Sequence, residues 1–259
     1  LREQRIPVDC VAGTSMGALV AGAWAAGLSP VEMRKELAQA LRPQLLETFE
    51  RTASRGAYEY SDAAVARRSL HNICLSYLMT LEDDEAAALC LLQYEQATNM
   101  TEQLAAFRGV VHSGRAEKAA VIDDFYQRWQ REALVVDQWF TAQAVAPQAD
   151  TLQQVEKLLQ HPAFELTNPN KVRALIGSFC NANPVNFHRA DGEGYRFLAD
   201  RIIELNTINP QIASRMSVLM TRWANYDETR AAKIRQQLQR IKAEPLSPDV
   251  YEVITKALG

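Results

Sequence analysis

Cysteine is scarce in this chain, and its spacing excludes the common cysteine-based sites. The four cysteines fall at Cys10, Cys74, Cys90 and Cys180, with no C-x-x-C pair among them. A disulfide framework or a cysteine-ligated zinc site would need closer or paired spacing. We therefore expect four buried free thiols in a protein from a reducing compartment.

Long apolar runs and an excess of one charge are also absent. The longest apolar run, residues 18–28, is shorter than the roughly 20 residues that cross a bilayer, and no signal peptide is recognisable. The formal net charge is −3, with acidic and basic residues mixed along the chain, so no basic surface for nucleic acid is indicated. These features predict a cytoplasmic protein with no membrane span and no nucleic-acid partner.

Strand patterns are confined to the first residues. Residues 6–12 are rich in β-branched types, carry a proline near the start and precede a glycine turn, which predicts one strand. An alanine-rich helix is predicted over residues 16–26. Ser29, Pro30 and Glu32 then have the spacing of a capping box, with serine as N-cap and proline at the first helical position.

Helical periodicity dominates the remainder of the chain. Apolar residues recur every three or four positions between short breakers. Helices joined by such short loops pack against their chain neighbours. We predict a mainly all-α fold, an irregular superhelical array of antiparallel helix pairs, preceded by a short β-turn-α nucleophile-elbow fragment. The predicted helices cover residues 63–79, 82–94, 100–112, 117–129, 134–144, 151–159, 171–180, 194–205, 211–223, 229–241 and 249–258.

Two groups of apolar side chains are predicted to lie in the core because they occur at helical spacing. They are Val65, Leu70, Ile73 and Leu78 in the first long helix, and the tryptophans Trp129, Trp139 and Trp223.

A nucleophile elbow is the first candidate site. Residues 13–17 read G-T-S-M-G, a G-x-S-x-G motif between the predicted strand and helix, where helix N–H groups could stabilise an oxyanion. Residues 5–37 resemble a fragment of the patatin-like phospholipase family, which implies a Ser–Asp dyad with Ser15 as the nucleophile.

The remaining parts of that machinery are missing from the sequence. The resemblance implies a glycine-rich oxyanion loop and an aspartate in an Asp-Gly setting on the same sheet. Asp191-Gly192 is the one Asp-Gly pair, but no second strand is predicted to present it. A serine without a base is a weak nucleophile, so we expect Ser15 to be vestigial.

The residues beyond about 41 resemble the C-terminal helical domain of the bacterial aminopeptidase N family, the alanyl aminopeptidases of the gluzincin class. This resemblance runs to the last residue. The segments that carry it are 41–47 (LRPQLLE), 99–101 (NMT), 134–140 (LVVDQWF), 168–179 (NPNKVRALIGSF), 183–188 (NPVNFH), 191–195 (DGEGY), 209–215 (NPQIASR) and 254–258 (ITKAL).

The resemblance implies hydrolysis of peptide N-terminal residues by a zinc ion held by H-E-x-x-H and a distant glutamate. Two histidines one turn apart place both imidazoles on one helix face. The histidines here, His71, His112, His161 and His188, show no such spacing. We therefore predict no cofactor in this chain, with zinc on a separate catalytic domain that would be its partner.

Two arginines are the candidate substrate-binding residues. By motif, Arg173 and Arg215 match the arginines that face the substrate's C-terminal side in this family. A guanidinium can hold a peptide carboxylate through paired hydrogen bonds. The competing interpretation of each arginine is a surface or interhelix ion pair. His188 and Tyr195 are predicted to be structural.

Together these features predict two regions, a patatin-like fragment over residues 1–37 and the helical domain over residues 38–259, with the junction between Lys35 and Leu41. The predicted function is that of a gating and substrate-cavity domain of a zinc aminopeptidase, not catalytic in this chain alone. Two alternatives are a serine acyl hydrolase that uses Ser15 and a helical protein-interaction scaffold.

Overall fold

The computed structural model describes residue 22, residues 27–54 and residues 56–259 of the chain. Every regular element in these residues is helical, which confirms the mainly all-α class. The predicted strand at residues 6–12, the elbow with Ser15, and Cys10 lie outside the described residues. None of the described helices has the length and apolar character needed to cross a membrane.

The described residues form two compact units, one within residues 8–127 and one containing residues 128–259. The helices that lie before the boundary or run across it are α1 Pro30–Ala40, α2 Arg42–Thr52, α3 Asp62–Leu78, α4 Asp84–Gln96, α5 Met100–Val111 and α6 Lys118–Trp129, with a 3-10 turn at Met79–Leu81.

The second unit contains the cavity described below. Its long helices are α7 Ala133–Ala144, α8 Thr151–Leu158, α12 Glu193–Ile208, α13 Pro210–Ser217, α14 Glu228–Lys242 and α15 Pro248–Leu258. Its short elements are α9 Pro169–Val172, a π-helical turn at Arg173–Gly177, α10 Ser178–Ala182, α11 Pro184–Phe187 and 3-10 turns at Val218–Met220 and Trp223–Asn225. Within this unit, α12 packs against α13 and α14, and α7 packs against the π-helical turn.

The capping box predicted at Ser29 is present at the start of α1. Ser29 forms the full capping box, since its hydroxyl oxygen accepts from the Glu32 N–H at 3.2 Å and the Glu32 carboxylate accepts from the Ser29 N–H at 2.7 Å. Helix α1 runs through the predicted domain boundary between residues 37 and 38, and the division at that point stays a prediction.

The core of α3 differs from the prediction. Leu78 is buried, but Val65, Leu70 and Ile73 are 42%, 42% and 52% exposed, so their assignment to the core is wrong. The buried face instead carries Arg68 and His71, among other residues.

Both polar side chains of that face are buried because they have partners. The Arg68 guanidinium donates to the Glu59 carbonyl at 3.0 Å and lies over the Tyr58 ring. The His71 ring stacks on Phe49 with 4.0 Å between centroids, and its Nδ1 lies 2.8 Å from the Phe49 carbonyl oxygen. Apolar periodicity cannot reveal a face whose polar members are satisfied in this way.

The remaining core predictions are confirmed in part. Trp139 is buried, whereas Trp129 and Trp223 are half-buried. The described cysteines Cys74, Cys90 and Cys180 are buried free thiols, as predicted. Burial raises the pKa of Cys90 to about 12, so this thiol stays protonated near neutral pH and is a poor nucleophile.

The N-cap of α3 supports a direct test. Ser61 accepts a hydrogen bond from the Ala64 N–H at 3.2 Å. Replacing it with alanine should lower the free energy of unfolding by about 1 kcal/mol, because one N–H of the first turn loses its acceptor. Ser69→Ala is the matched control: this exposed serine lies inside the same helix, where alanine is the better helix former and should stabilise by roughly 0.5 kcal/mol. Urea unfolding followed by circular dichroism measures both, and equal effects would refute the capping role.

Candidate functional site

A cavity of about 550 Å³ lies in the second unit between the segment that follows Asn168 and helix α13. Both predicted substrate-binding arginines, Arg173 and Arg215, contribute to its wall. The other lining residues are Pro169, Gly177, Ser178, Asn181, Ala182, Asn209, Gln211, Ile212, Met216 and Leu219.

The first wall is built on an Asn-Pro helix start. The Asn168 side chain accepts from the Asn170 N–H at 3.0 Å, and Pro169 occupies the first turn, where its missing N–H costs nothing. The helix then widens into the π-helical turn Arg173–Gly177. The Thr141 hydroxyl on α7 donates to the Ala174 carbonyl within this turn at 3.1 Å. Such π turns are rare and are often found at functional sites.

A buried ion pair anchors the same wall. Lys171 Nζ lies 2.7 Å from an oxygen of Asp137, with the two side chains only 10% and 14% exposed. The ammonium group also donates to the Ala133 carbonyl at 3.3 Å. Because each charge has a close partner, the pair fixes α9 against α7 and holds the start of the π turn in place.

Arg173 is exposed and partly restrained. Its Nε donates to the Pro169 carbonyl at 3.2 Å, and one terminal nitrogen donates to the Asn170 side-chain oxygen at 2.5 Å. A guanidinium has five N–H donors, so three remain for a ligand. The contacts tie the side chain to its own helix start rather than to an acidic residue.

The second wall is helix α13, which also begins with an Asn-Pro pair. Asn209 caps it by accepting from the Ile212 N–H at 3.2 Å. Ala213, Met216 and Ser217 face the core and set the rotation of the helix. This rotation leaves Arg215 exposed at the cavity, with no hydrogen bond or ion pair to any of the described residues.

The charged groups that line the cavity are all positive. Its lining contains two permanently charged guanidiniums and no carboxylate, while Ser178, Asn181 and Gln211 supply neutral polar groups. The competing interpretation of the two arginines as ion-pair residues finds no acidic partner among the described residues. An anionic group is therefore the ligand chemistry that this wall favours.

The lining residues beyond the two arginines were not identified from the sequence, although a signal for them exists. Arg173, Gly177 and Asn181 recur every four residues, and Gln211, Arg215 and Leu219 do the same. Residues at this spacing share one helix face, so each arginine could have indicated its neighbours.

The described residues do not fit a zinc ion. They contain no group of three or more His, Cys, Asp or Glu side chains placed to hold a metal. His71 is occupied by its contacts with Phe49, and His161 Nδ1 accepts from the Ala163 N–H at 3.2 Å.

His188 lies between two tyrosines. Its Nδ1 is 3.0 Å from the Tyr195 hydroxyl and its Nε2 is 3.2 Å from the Tyr226 hydroxyl. Tyr195 is fully buried. Burial, with a smaller contribution from the Arg230 guanidinium, lowers the pKa of His188 to about 4. These contacts agree with the structural roles predicted for His188 and Tyr195.

The elbow and its only Asp-Gly candidate are not brought into one described site. Ser15 lies outside the described residues. Asp191 accepts from the Glu193 N–H at 3.1 Å and pairs with Arg189 at 2.6 Å, in the turn before α12. The patatin-like resemblance of residues 5–37 stays a prediction.

Comparison with protein families gives a match over residues 29–259, to the family described as "Domain of unknown function (DUF3458_C) ARM repeats". Among curated proteins, aminopeptidase N of Escherichia coli (strain K12) is 39% identical over 228 residues, which is 88% of this chain and 26% of that protein. Aminopeptidase N of Haemophilus influenzae is 35% identical over 227 residues, which is 87% of this chain and again 26% of the relative.

A solved structure is also similar. The crystal structure of Legionella pneumophila aminopeptidase A in complex with aspartic acid has a TM-score of 0.80 and 32% sequence identity, covering 87% of this chain and 27% of that chain. The present chain thus spans about a quarter of the length of the proteins it matches. It belongs to the DUF3458_C family of ARM-repeat domains, the C-terminal domain family of aminopeptidase N.

Proposed function

We propose that this domain is the gating and substrate-cavity domain of a zinc-dependent aminopeptidase that removes N-terminal residues from peptides. In this proposal the domain binds the C-terminal end of the peptide and is not catalytic in this chain alone. Its partners are a catalytic zinc domain and the peptide substrate. The observation that carries the proposal is the cavity with Arg173 and Arg215 and no acidic residue in its lining.

The chemistry follows from the two ends of a peptide. An aminopeptidase acts at the end that carries the α-amino group, so a small peptide also presents a carboxylate at its other end. A guanidinium holds a carboxylate by charge-assisted hydrogen bonds, and two guanidiniums of one cavity can share it. Binding that end positions the peptide and selects for substrates short enough to place both ends.

The zinc ion belongs, in this proposal, to a domain other than the described helices. When bound there, it would polarise the scissile carbonyl and activate a water molecule. The described residues have no metal cluster and contribute binding, orientation and restriction of access. A cytoplasmic location remains a prediction from the sequence.

Peptide binding tests the proposal on the chain as it is. Isothermal titration calorimetry would compare acetyl-Ala-Ala-Leu carrying a free carboxylate with the same peptide as its C-terminal amide. We expect the acid to bind at least tenfold more tightly, because a charged hydrogen bond contributes about 1.5–3 kcal/mol. Arg215→Gln should weaken binding of the acid about tenfold, and Arg173→Gln should weaken it less because part of that guanidinium is already bonded to Pro169 and Asn170; both should leave binding of the amide unchanged.

Arg67→Gln is the matched control, since this arginine is exposed, lies in the other unit and undergoes the same loss of charge. It should leave both affinities unchanged. Equal affinities for the acid and the amide in the unaltered chain would refute carboxylate recognition. If Arg67→Gln weakens binding of the acid as much as Arg215→Gln does, the preference for the acid reflects the net charge of the protein and not a carboxylate site.

Two hydrolysis assays test whether this chain is catalytic by itself. With zinc added, the purified chain should not hydrolyse an alanyl chromogenic amide above background. It should also fail to hydrolyse a short acyl ester, with and without Ser15→Ala. Ester hydrolysis that disappears in Ser15→Ala would instead support the acyl hydrolase alternative.

A further inference from the structure

We infer that the same cavity selects the side chain of the C-terminal residue and favours an apolar one. This inference rests on the proposed function, since it requires that the peptide carboxylate lies at the arginines. It adds a specificity that those arginines alone do not provide, because they contact the carboxylate that every peptide carries.

An apolar stripe lies beside Arg215 on the same wall. Ile212 and Met216 are one helical turn apart on α13, and Leu219 follows in the adjoining 3-10 turn. All three line the cavity, and they occupy positions three before, one after and four after Arg215. A carboxylate bound at Arg215 therefore has apolar side chains on the neighbouring turns of the same helix.

Part of the apolar stripe is accessible to a ligand, and part of it is buried in the protein. Met216 is only 7% exposed, so it forms the floor, whereas Ile212 and Leu219 are half-buried and can still gain contacts. Apolar surface that a ligand covers in this way leaves water, which is favourable in proportion to its area. On the opposite wall, Ala182 and Pro169 add further apolar surface.

The two arginines are not equivalent in this arrangement. One edge of the Arg173 guanidinium is already bonded to the Pro169 carbonyl and the Asn170 side chain. None of the five N–H donors of Arg215 bonds to the described residues, so this guanidinium can bind a carboxylate through two parallel hydrogen bonds. The main carboxylate position is therefore the one next to the apolar stripe.

The size of the cavity suits a short peptide segment. Its volume of about 550 Å³ lies within the roughly 300–1,000 Å³ of typical ligand pockets. The C-terminal residue and the one before it would be bound there, with the rest of the peptide outside.

Binding of a peptide series tests the inference. Calorimetric titrations would use acetyl-Ala-Ala-X acids in which X is Leu, Phe, Ser, Glu or Lys. We expect Leu and Phe to bind about tenfold more tightly than Ser, because their side chains bury apolar area, and Lys to bind most weakly because its ammonium faces two arginines. If Leu, Phe and Ser bind equally, or if Glu binds most tightly, the apolar specificity is wrong.

Matched variants locate the effect. Ile212→Thr replaces a lining side chain by a polar β-branched one and should reduce the Leu-over-Ser preference about threefold or more. Val218→Thr makes the corresponding change at a side chain that is 53% exposed and outside the lining, and should leave the preference intact. An equal reduction in both variants would contradict the assignment of the stripe. The peptide series needs no variant, so it decides the question even if Ile212→Thr unfolds the protein.

The outcomes also separate this inference from the function on which it rests. If all acids bind alike and all bind more tightly than their amides, carboxylate recognition stands and the side-chain specificity fails. If the acids bind no better than the amides, the proposed function itself fails.

Discussion

Gly194→Ala should lower the free energy of unfolding by about 3 kcal/mol, at the upper end of the usual cost of overpacking. A β-carbon at this position would lie 2.3 Å from the Phe187 carbonyl oxygen and 2.9 Å from two other backbone atoms of Phe187. Contacts with backbone atoms cannot be relieved by rotating a side chain. For a chain of this size the loss corresponds to a melting temperature roughly 6–12 °C lower.

The neighbouring turn cannot move away to make room. The Phe187 side chain is almost fully buried, and the turn before it is held by Asn183, whose amide nitrogen donates to the Ala144 carbonyl at 3.0 Å and the Ala146 carbonyl at 2.8 Å. Either α12 shifts at its first turn or these bonds break. Both outcomes are costly, because Asn183 is itself buried.

Gly177→Ala is the control for this prediction. It is also a helical glycine of the same unit, but its nearest atom to an added β-carbon is 3.7 Å away, an ordinary contact distance. Alanine should leave stability unchanged there or raise it by up to about 1 kcal/mol. Thermal unfolding followed by circular dichroism compares the two, and similar melting temperatures would show that the close approach at Gly194 is not required.

Acidification should destabilise the protein through His188 by about 2–3 kcal/mol between pH 7 and pH 4.5. The folded state holds this ring neutral between the Tyr195 and Tyr226 hydroxyls, and its pKa is about 4 against 6.5 for an unperturbed histidine. As the pH falls from 6.5 towards 4, the unfolded chain takes up a proton that the folded chain does not, so the free energy of unfolding falls. Below pH 4 both states are protonated and the loss ends.

The histidine variant isolates this contribution. Burial also lowers the pKa values of His71 and His161, so the whole protein loses stability in the same window for several reasons. Urea unfolding at pH 7 and pH 4.5 would be compared for the unaltered protein and His188→Gln, whose amide can still donate and accept. The variant should lose about 2–3 kcal/mol less between the two pH values. An identical pH dependence in both proteins would mean that His188 titrates normally in the fold.

Helix starts were predictable because their chemistry is local. Ser29, Asn168 and Asn209 each bond to an N–H two or three residues away, and the proline that follows each one fits the first helical turn. These signals need no knowledge of the rest of the molecule. With the apolar periodicity between the short breakers, they were sufficient to predict a mainly all-α fold.

The buried face of α3 was predicted wrongly because the burial of its polar side chains is decided by partners that lie outside the helix. Ile73 is apolar and exposed, whereas Arg68 and His71 are polar and buried. The Glu59 carbonyl, the Tyr58 ring and the Phe49 carbonyl satisfy these two side chains, and none of them lies on the helix itself. The hydrophobic pattern of one helix contains no information about such partners.

By itself, the sequence determined the helical class, most of the helix starts and the identity of two candidate arginines. Only the tertiary structure decided that Arg173 and Arg215 line one cavity, that no carboxylate shares it, and that apolar side chains lie beside Arg215. The physical reason is the range of the interactions. Caps and helical periodicity act over three or four residues, whereas the walls of the cavity are placed by contacts between elements far apart in the chain: the π turn packs on α7, and α13 packs on α15.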